Sequence, residues 1–291
     1  MSASSAVVIN SSVFILIGLP GLERYYPWFS IPFSLTYSMG FVGNSLVLHV
    51  IRTEPSLHEP MFYFLAMLAV TDLCMGLSTV HTVLGVLWGL SQEIGLDACI
   101  AQTFFVHSLS GMESGVLLAM AFDRFTAICN PLRYTSILTN RRVIHFMFFR
   151  YCRPHLLSHA FCLHQNLLQL ACSDIHFNSF YALVLVICTL VLDAVLILIS
   201  YVFILHAVLA IASQTERLKT LQTCVSHICA VLVFYIPIIG LTMVHRFGRH
   251  LIPLVHVLMG NVYVLFPPLM NPVIYSVKTQ QIRIRMEKKG F

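Results

Sequence analysis

The residues with the most capacity for chemistry lie where the sequence is least polar. Asp72 and Glu113 each stand in the middle of a long apolar run, and Asn44 and Asn271 sit inside two others. An acid inside a lipid-length segment is costly, so such residues pair, take a cation or carry a proton. Together these four side chains could ring a small polar cavity holding a cation and water. They could equally form a hydrogen-bond network with no ion. Asp193 is a further acid of this kind, and the sequence offers it no obvious partner. Asp123-Arg124 closes the run that contains Glu113, a placement that also suits a plain interfacial anchor. Asn271-Pro272-Val273-Ile274-Tyr275 ends the last run, where proline removes a backbone donor and either hinges or merely kinks a helix. The sequence has no nucleophile elbow, no phosphate loop and no His/Cys spacing for zinc, so enzyme chemistry is not expected. The fourteen histidines are dispersed rather than clustered.

The elements that must hold these residues follow from composition. Of the 291 residues, 58% are hydrophobic and 10% charged, and the mean hydropathy is +0.83. An average soluble domain carries about 25% charged residues. Too few polar side chains remain here to coat a protein in water. That excludes a cytosolic enzyme, a disordered chain and a nucleic-acid binder with a basic surface. A helix crossing the roughly 30 Å hydrocarbon layer needs about 20 mostly apolar residues. Six segments qualify: 28–51, 61–88, 98–128, 179–206, 221–244 and 251–277. They are long and continuous, unlike the short alternating strands of a barrel. The first 23 residues carry no Lys or Arg, so the apolar run 13–19 lacks the basic region of a cleaved signal peptide. The first span is therefore expected to double as the targeting signal.

Lys and Arg near span ends stay in the cytoplasm. Twelve of the 17 fall on one side, Arg52, Arg124, Arg133, Arg141, Arg142, Arg217 and Lys278 among them. Arg24, Arg150, Arg153, Arg246 and Arg249 fall on the other. The chain is thus expected to run with its N-terminus outside and its C-terminus inside. The sequon Asn10-Ser11-Ser12, usable only on the luminal side, agrees. Cys99, Cys152, Cys162 and Cys172 then all lie on the oxidising side. Such a chain crosses an odd number of times, so one crossing must lie between Arg142 and Cys152. The apolar run there, 143–149, is seven residues, or roughly 10 Å of helix. That is about a third of the layer.

In order and spacing these motifs resemble those of rhodopsin-like G-protein-coupled receptors. The olfactory receptor branch is indicated by Leu57-His58-Glu59-Pro60-Met61 and by Met120-Ala121-Phe122-Asp123-Arg124-Phe125 with Ala127-Ile128-Cys129-Asn130-Pro131-Leu132-Arg133-Tyr134. Thr223-Cys224-Val225-Ser226-His227 points the same way. The class I (fish-like) subset is similar in Gly18-Leu19-Pro20-Gly21-Leu22-Glu23, Ser158-His159-Ala160-Phe161-Cys162-Leu163-His164-Gln165 and Val244-His245-Arg246-Phe247-Gly248. The resemblance covers 18–285.

The resemblance implies an all-α polytopic membrane protein, a seven-transmembrane receptor bundle. Relatives carry a complete helix where this chain has only 143–149, so the fourth span is shortened or missing and the chain looks internally deleted by about one helix. A short interfacial helix is expected at the C-terminus, where 278–289 alternates basic and apolar residues. The implied organisation is one receptor domain: an extracellular segment 1–27, the bundle 28–277 and a cytoplasmic tail 278–291. Asp123 and Arg124 would form the inner lock, with Phe125 in place of the usual tyrosine, and Tyr201 and Tyr275 would regroup around Arg124 on activation, with Asn271 and Pro272 as the hinge. Asn44, Asp72, Glu113 and Asn271 match a sodium and water pocket, sodium being the one candidate ion and no other metal or cofactor being expected. Cys99 should pair with Cys162, and Cys152 with Cys172. Cys74, Cys129, Cys188, Cys224 and Cys229 should be free buried thiols, and Asn10 is the glycosylation site.

The implied ligand is a small volatile or water-soluble odorant in the outer half of the bundle, a carboxylic acid by preference. Arg246 would anchor the carboxylate, with Gln165 and Thr242 completing the polar end and His107 facing the same pocket. Arg246 could also be an interfacial arginine reaching headgroups, and His107 a core histidine. The implied partners are the lipid bilayer of the plasma membrane and a heterotrimeric G protein of the olfactory stimulatory type, with no nucleic acid. Two other readings stand beside this one: a non-signalling remnant of such a receptor, and a multi-span transporter or channel.

Overall fold

The computed structural model describes residues 13–129, 156–157, 159–163, 176–210, 213–248 and 251–278. Six long helices account for most of them: α1 Tyr26–Thr53, α2 Pro60–Leu87, α3 Leu96–Cys129, α4 His176–Leu209, α5 Gln214–Phe247 and α6 Pro253–Lys278. Each covers one of the six expected spans and extends it by a few residues, or shifts it by a residue or two. Proline sits in the first turn of α1 and α2 and opens α6, where its missing N–H has no helical partner to lose. By length and composition α2, α3, α4, α5 and α6 each contain a stretch apolar enough to cross a membrane. The α1 helix is not in that set, because Ser30, Ser34, Thr36, Ser38, Asn44, Ser45 and His49 dilute its hydropathy. Large apolar side chains such as Trp28, Leu35, Leu77, Leu198 and Val202 point out of the bundle, an outer surface suited to lipid rather than water. The run 143–149 and the tail 279–291 lie outside the described residues.

Packing is closest between α5 and α6, between α1 and α2, between α3 and both α2 and α4, and between α1 and α6. The α1–α6 contact shows why. Pro272 has no N–H to give the carbonyl one turn earlier, that of Pro268. Asn44 Nδ2 of α1 donates to this carbonyl at 2.9 Å, and to Gly40 O at 3.0 Å. The helices come so close that a Cβ on Gly43 would meet Pro272 Cβ at 2.8 Å.

The outer end departs from an all-α description. Three short strands form a sheet of order β2-β1-β3: β1 Val13–Leu16, β2 Glu93–Gly95 and β3 Leu156–Leu157. Phe14 pairs opposite Ile94 in the antiparallel ladder, and Leu16 opposite Leu157 in the parallel one. Phe14 and Leu16 are buried while Val13 and Ile15 are exposed, the period of a half-buried strand. The run 13–19 is therefore a capping strand and turn, not a loose leader. Gly18 makes the turn at φ +82, where a Cβ would strike Val86 and Tyr26. Tyr26 Oη then accepts the Leu19 N–H at 3.1 Å. Behind the sheet, His159, Ala160, Phe161, Cys162 and Leu163 are all buried in the outer core. Cys162 is bonded to Cys99, with Cα atoms 5.5 Å apart. Gln102 adds a second fastening: its Oε1 accepts the Cys162 N–H at 2.8 Å and its Nε2 donates to Ser78 O at 2.7 Å. Cys224 is buried and free, but Cys74 is free and exposed, on the outward face of α2. A thiol is apolar enough to face lipid.

Gly43→Ala should lower the thermal midpoint of the detergent-solubilised chain, overpacking of this kind costing about 1–3 kcal/mol. Gly115→Ala is the control, since a Cβ there meets nothing within 4 Å. Equal midpoints for the two variants would show that the α1–α6 contact is looser than described.

Candidate functional site

At mid-depth the four polar residues singled out in the sequence are all buried. Asn271 Nδ2 donates to Asp72 Oδ2 at 3.0 Å and to Glu113 Oε1 at 3.3 Å, joining α6 to α2 and α3 through one amide. Asp72 Oδ1 is buried with no hydrogen-bond partner among the described residues. A small cavity lined by Tyr37, Gly40, Asp72, Gly76 and Pro268 opens beside it. Asn44 belongs to the same layer but spends its donor on the α6 backbone, not on the acids. The arrangement offers carboxylate oxygens, the ligands that hard cations take.

Asp193 has the partner the sequence did not disclose. Ser114 Oγ of α3 donates to Asp193 Oδ2 of α4 at 2.7 Å and lies 3.0 Å from Tyr235 Oη of α5. The three side chains tie three helices below the outer core. No spacing rule links positions 114, 193 and 235, so only the fold brings them together.

At the inner end Arg124 Nη2 and Nε donate to Asp123 Oδ2 at 2.7 and 3.2 Å. Arg124 lines a cleft with Met61, Leu65, Met120, Thr223, Ser226, His227 and Tyr275. Tyr201 is not bonded to Arg124. Its Oη lies 2.6 Å from His227 Nδ1, the two rings stacking at 5.7 Å. Because His227 Nε2 meets the Leu117 carbonyl at 3.0 Å, that nitrogen carries the proton and Nδ1 accepts from Tyr201. Tyr275 Oη is buried with no hydrogen-bond partner among the described residues. His227 closes the Thr223–His227 motif, whose sequence alone assigns it no contact. Here it joins α5 to α3 and α4.

At the outer end the proposed ligand anchors are less assembled. Arg246 is exposed on the last turn of α5. Thr242 Oγ1 donates to its own helix at Ile238 O, 2.8 Å away. His107 is half-buried on α3. Gln165, Cys152, Cys172 and Asn10 lie outside the described residues. A cluster that sequence distance conceals stands here instead: the rings of His159 and His245 stack at 5.5 Å, and His245 meets His256 edge-on at 5.4 Å.

Comparison with known proteins bears on what this architecture is. A family model for the olfactory receptor matches residues 33–289. The chain is 66% identical to olfactory receptor 51V1 of Homo sapiens, over 98% of this chain and 94% of that protein. It is 54% identical to olfactory receptor 51B5 of Homo sapiens, over 94% of each. The first alignment runs over 304 residues against the 291 of this chain, so part of that relative has no counterpart here. Among solved structures, squid rhodopsin superposes with a TM-score of 0.70 at 16% identity, covering 91% of this chain and 85% of that one. The fold is therefore rhodopsin-like.

Ser114→Ala should lower the thermal midpoint, because it strips a donor from an acid in the apolar layer, at a cost of about 1–3 kcal/mol. Ser114→Thr, which restores a hydroxyl, should recover most of the loss. An alanine variant as stable as the parent would remove Ser114 from any part in holding Asp193.

Proposed function

The chain belongs to the olfactory receptor family, a family of receptors and not of enzymes, and on that premise we propose that it senses odorants at the plasma membrane. In this reading 1–27 is extracellular, 28–277 forms the bundle and 278–291 the cytoplasmic tail. A small odorant, a carboxylic acid by preference, binds in the outer half, and the inner end activates a heterotrimeric G protein of the olfactory stimulatory type. The observation that carries the reading is the inner cleft. Arg124, paired with Asp123, lines it, and so does the Tyr275 hydroxyl, which has no hydrogen-bond partner among the described residues and can receive the guanidinium.

The steps follow from the contacts. Ligand contraction of the outer half would shift α3, α4 and α5 relative to one another and strain the Ser114–Asp193–Tyr235 junction. Rotation of α5 would then break the Tyr201–His227 bond. Freed Tyr201, with Tyr275, would offer Arg124 oxygen acceptors in exchange for Asp123. A sodium ion would sit on Asp72 and Glu113 in the resting state, using the Asp72 oxygen that Asn271 leaves free. It would supply the positive charge that makes two neighbouring buried carboxylates tolerable.

Arg246 is the anchor for the acid ligand. Exposed, an ion pair there is worth about 1 kcal/mol or less. Enclosed by the outer loop and Gln165, a bidentate contact reaches about 1.5–3 kcal/mol. A second reading rests on the seven-residue run 143–149 and on the unmatched part of the relative. A bundle lacking one wall would be a receptor of this family that folds or reaches the surface too poorly to signal.

A cyclic AMP reporter with acids, esters and alcohols of matched chain length tests the ligand. Acids should activate, and Arg246→Ala should weaken their potency by at least about tenfold while sparing neutral odorants. Arg246→Lys should restore less than half. Esters as active as acids, or an unchanged acid response in Arg246→Ala, would overturn the anchor. A glycosylation sequon inserted after Phe149 separates the two readings. Modification alongside Asn10 means that 143–149 crosses; a bare site with Asn10 modified favours the non-signalling one.

A further inference from the structure

The three imidazoles at the outer end have no role in the reading above. His159 is buried at 1% exposure in the outer loop, stacked on His245 of α5 and set 3.2 Å from the His256 carbonyl of α6 through Nε2. It also packs edge-on against Phe161 and fills the space beside Gly260, where a Cβ would come within 3.0 Å of its ring. His245 turns Nδ1 to the Leu241 carbonyl at 2.9 Å, so the proton sits there and the lone pair is on Nε2. That Nε2 is buried and has no hydrogen-bond partner among the described residues. Among the described residues no three such side chains converge as metal ligands do. The ligand that a buried, packed imidazole can still take is a proton.

We propose that loop segment 159–163 is a proton-operated latch, held against α5 and α6 by the stacking of His159 on His245 and its contact with the His256 carbonyl, and released on acidification. The segment is fastened on one side by the pairing of Leu157 with β1 and on the other by the Cys99–Cys162 bond and Gln102, so release is a local loosening of the His159 turn between them. His245 is followed directly by Arg246 on α5. Release therefore loosens the loop packed beside the turn that carries Arg246, the anchor of the proposed ligand site. This consequence rests on the receptor reading; the latch itself does not.

The charged groups around the latch come from each neighbouring element. The α5 helix brings His245 and, exposed beside it, Arg246; α6 brings His256. Glu93 of β2 and Asp97 of α3 are exposed at the same end. Burial, reinforced by the neighbouring His245, holds the His159 imidazole down at about 3. A base whose value is depressed on docking stabilises the docked state fully only above its ordinary value of about 6.5, and docking weakens as pH falls below it. Between pH 7.5 and 5.5 one such histidine shifts the docking equilibrium about tenfold.

Hydrogen exchange on the full chain in nanodiscs, where both faces meet solvent, tests this without any signalling readout. After correction for the intrinsic pH dependence of exchange, amides of 159–163 should lose about tenfold protection between pH 7.5 and 5.5, while those of α2 keep theirs. His159→Phe, which keeps the ring packing and removes the proton site, should reduce that loss to less than threefold. His245→Phe, which leaves the loop itself unaltered, should reduce it as well. Unchanged protection of 159–163 across this range, equal loss throughout the bundle, or the full loss persisting in both phenylalanine variants would each overturn the latch. A latch that opens in a chain giving no cyclic AMP response would overturn only the signalling reading.

Discussion

The bundle depends on how two carboxyl groups are kept inside an apolar layer. Asp72 and Glu113 share the amide of Asn271, and an acid left without partners at that depth would cost more than most single interactions return. Beside Asn271, Pro272 interrupts the hydrogen-bond ladder of α6. That interruption frees the Pro268 carbonyl, and Asn44 of α1 satisfies it. Three amide contacts thus lock α1, α2, α3 and α6 to one another. Each helix needs the others to balance its own polar groups, so the register of four helices is set at one level of the membrane.

Above and below that level the same rule is applied with different chemistry. The outer end is closed by apolar burial, a small sheet and one disulfide, with Gln102 satisfying three polar groups where the loop enters the bundle. The inner end is held by polar contacts that have near alternatives. Arg124 bonds Asp123 beside the Tyr275 hydroxyl, which has no partner among the described residues, and Tyr201 bonds His227 across a stacked pair of rings. An end closed by burial resists small changes. An end closed by exchangeable hydrogen bonds can hold two arrangements of similar energy, which is what a switch requires.

Much of this was legible in the sequence, for identifiable reasons. Helices of more than twenty apolar residues announce themselves by length alone, and Asp72, Glu113, Asn44 and Asn271 stood out because polar residues there are rare. The Asp123–Arg124 pair could be read because the two are adjacent. What stayed hidden depends on contacts between distant positions. The strand at Val13–Leu16 is four residues long, and its partners lie near positions 94 and 156. Asp193 stood out without a partner in view, while Ser114 and Tyr235, like His159, His245 and His256, are ordinary residues until the fold assembles them. Arg246, expected in a pocket, is exposed because it occupies the last turn of its helix, past the apolar layer.

The central claim is that the acid pair shared by Asn271 organises the bundle, and the proposed sodium ion is its counter-charge. The most direct test is the thermal midpoint of the purified chain in sodium chloride against N-methylglucamine chloride at equal ionic strength. A ligand that binds only the folded state raises the midpoint with concentration. The account requires sodium to raise it in the parent chain and to have no effect in Asp72→Asn. Identical midpoints in the two salts, or a sodium effect that survives in Asp72→Asn, would contradict it.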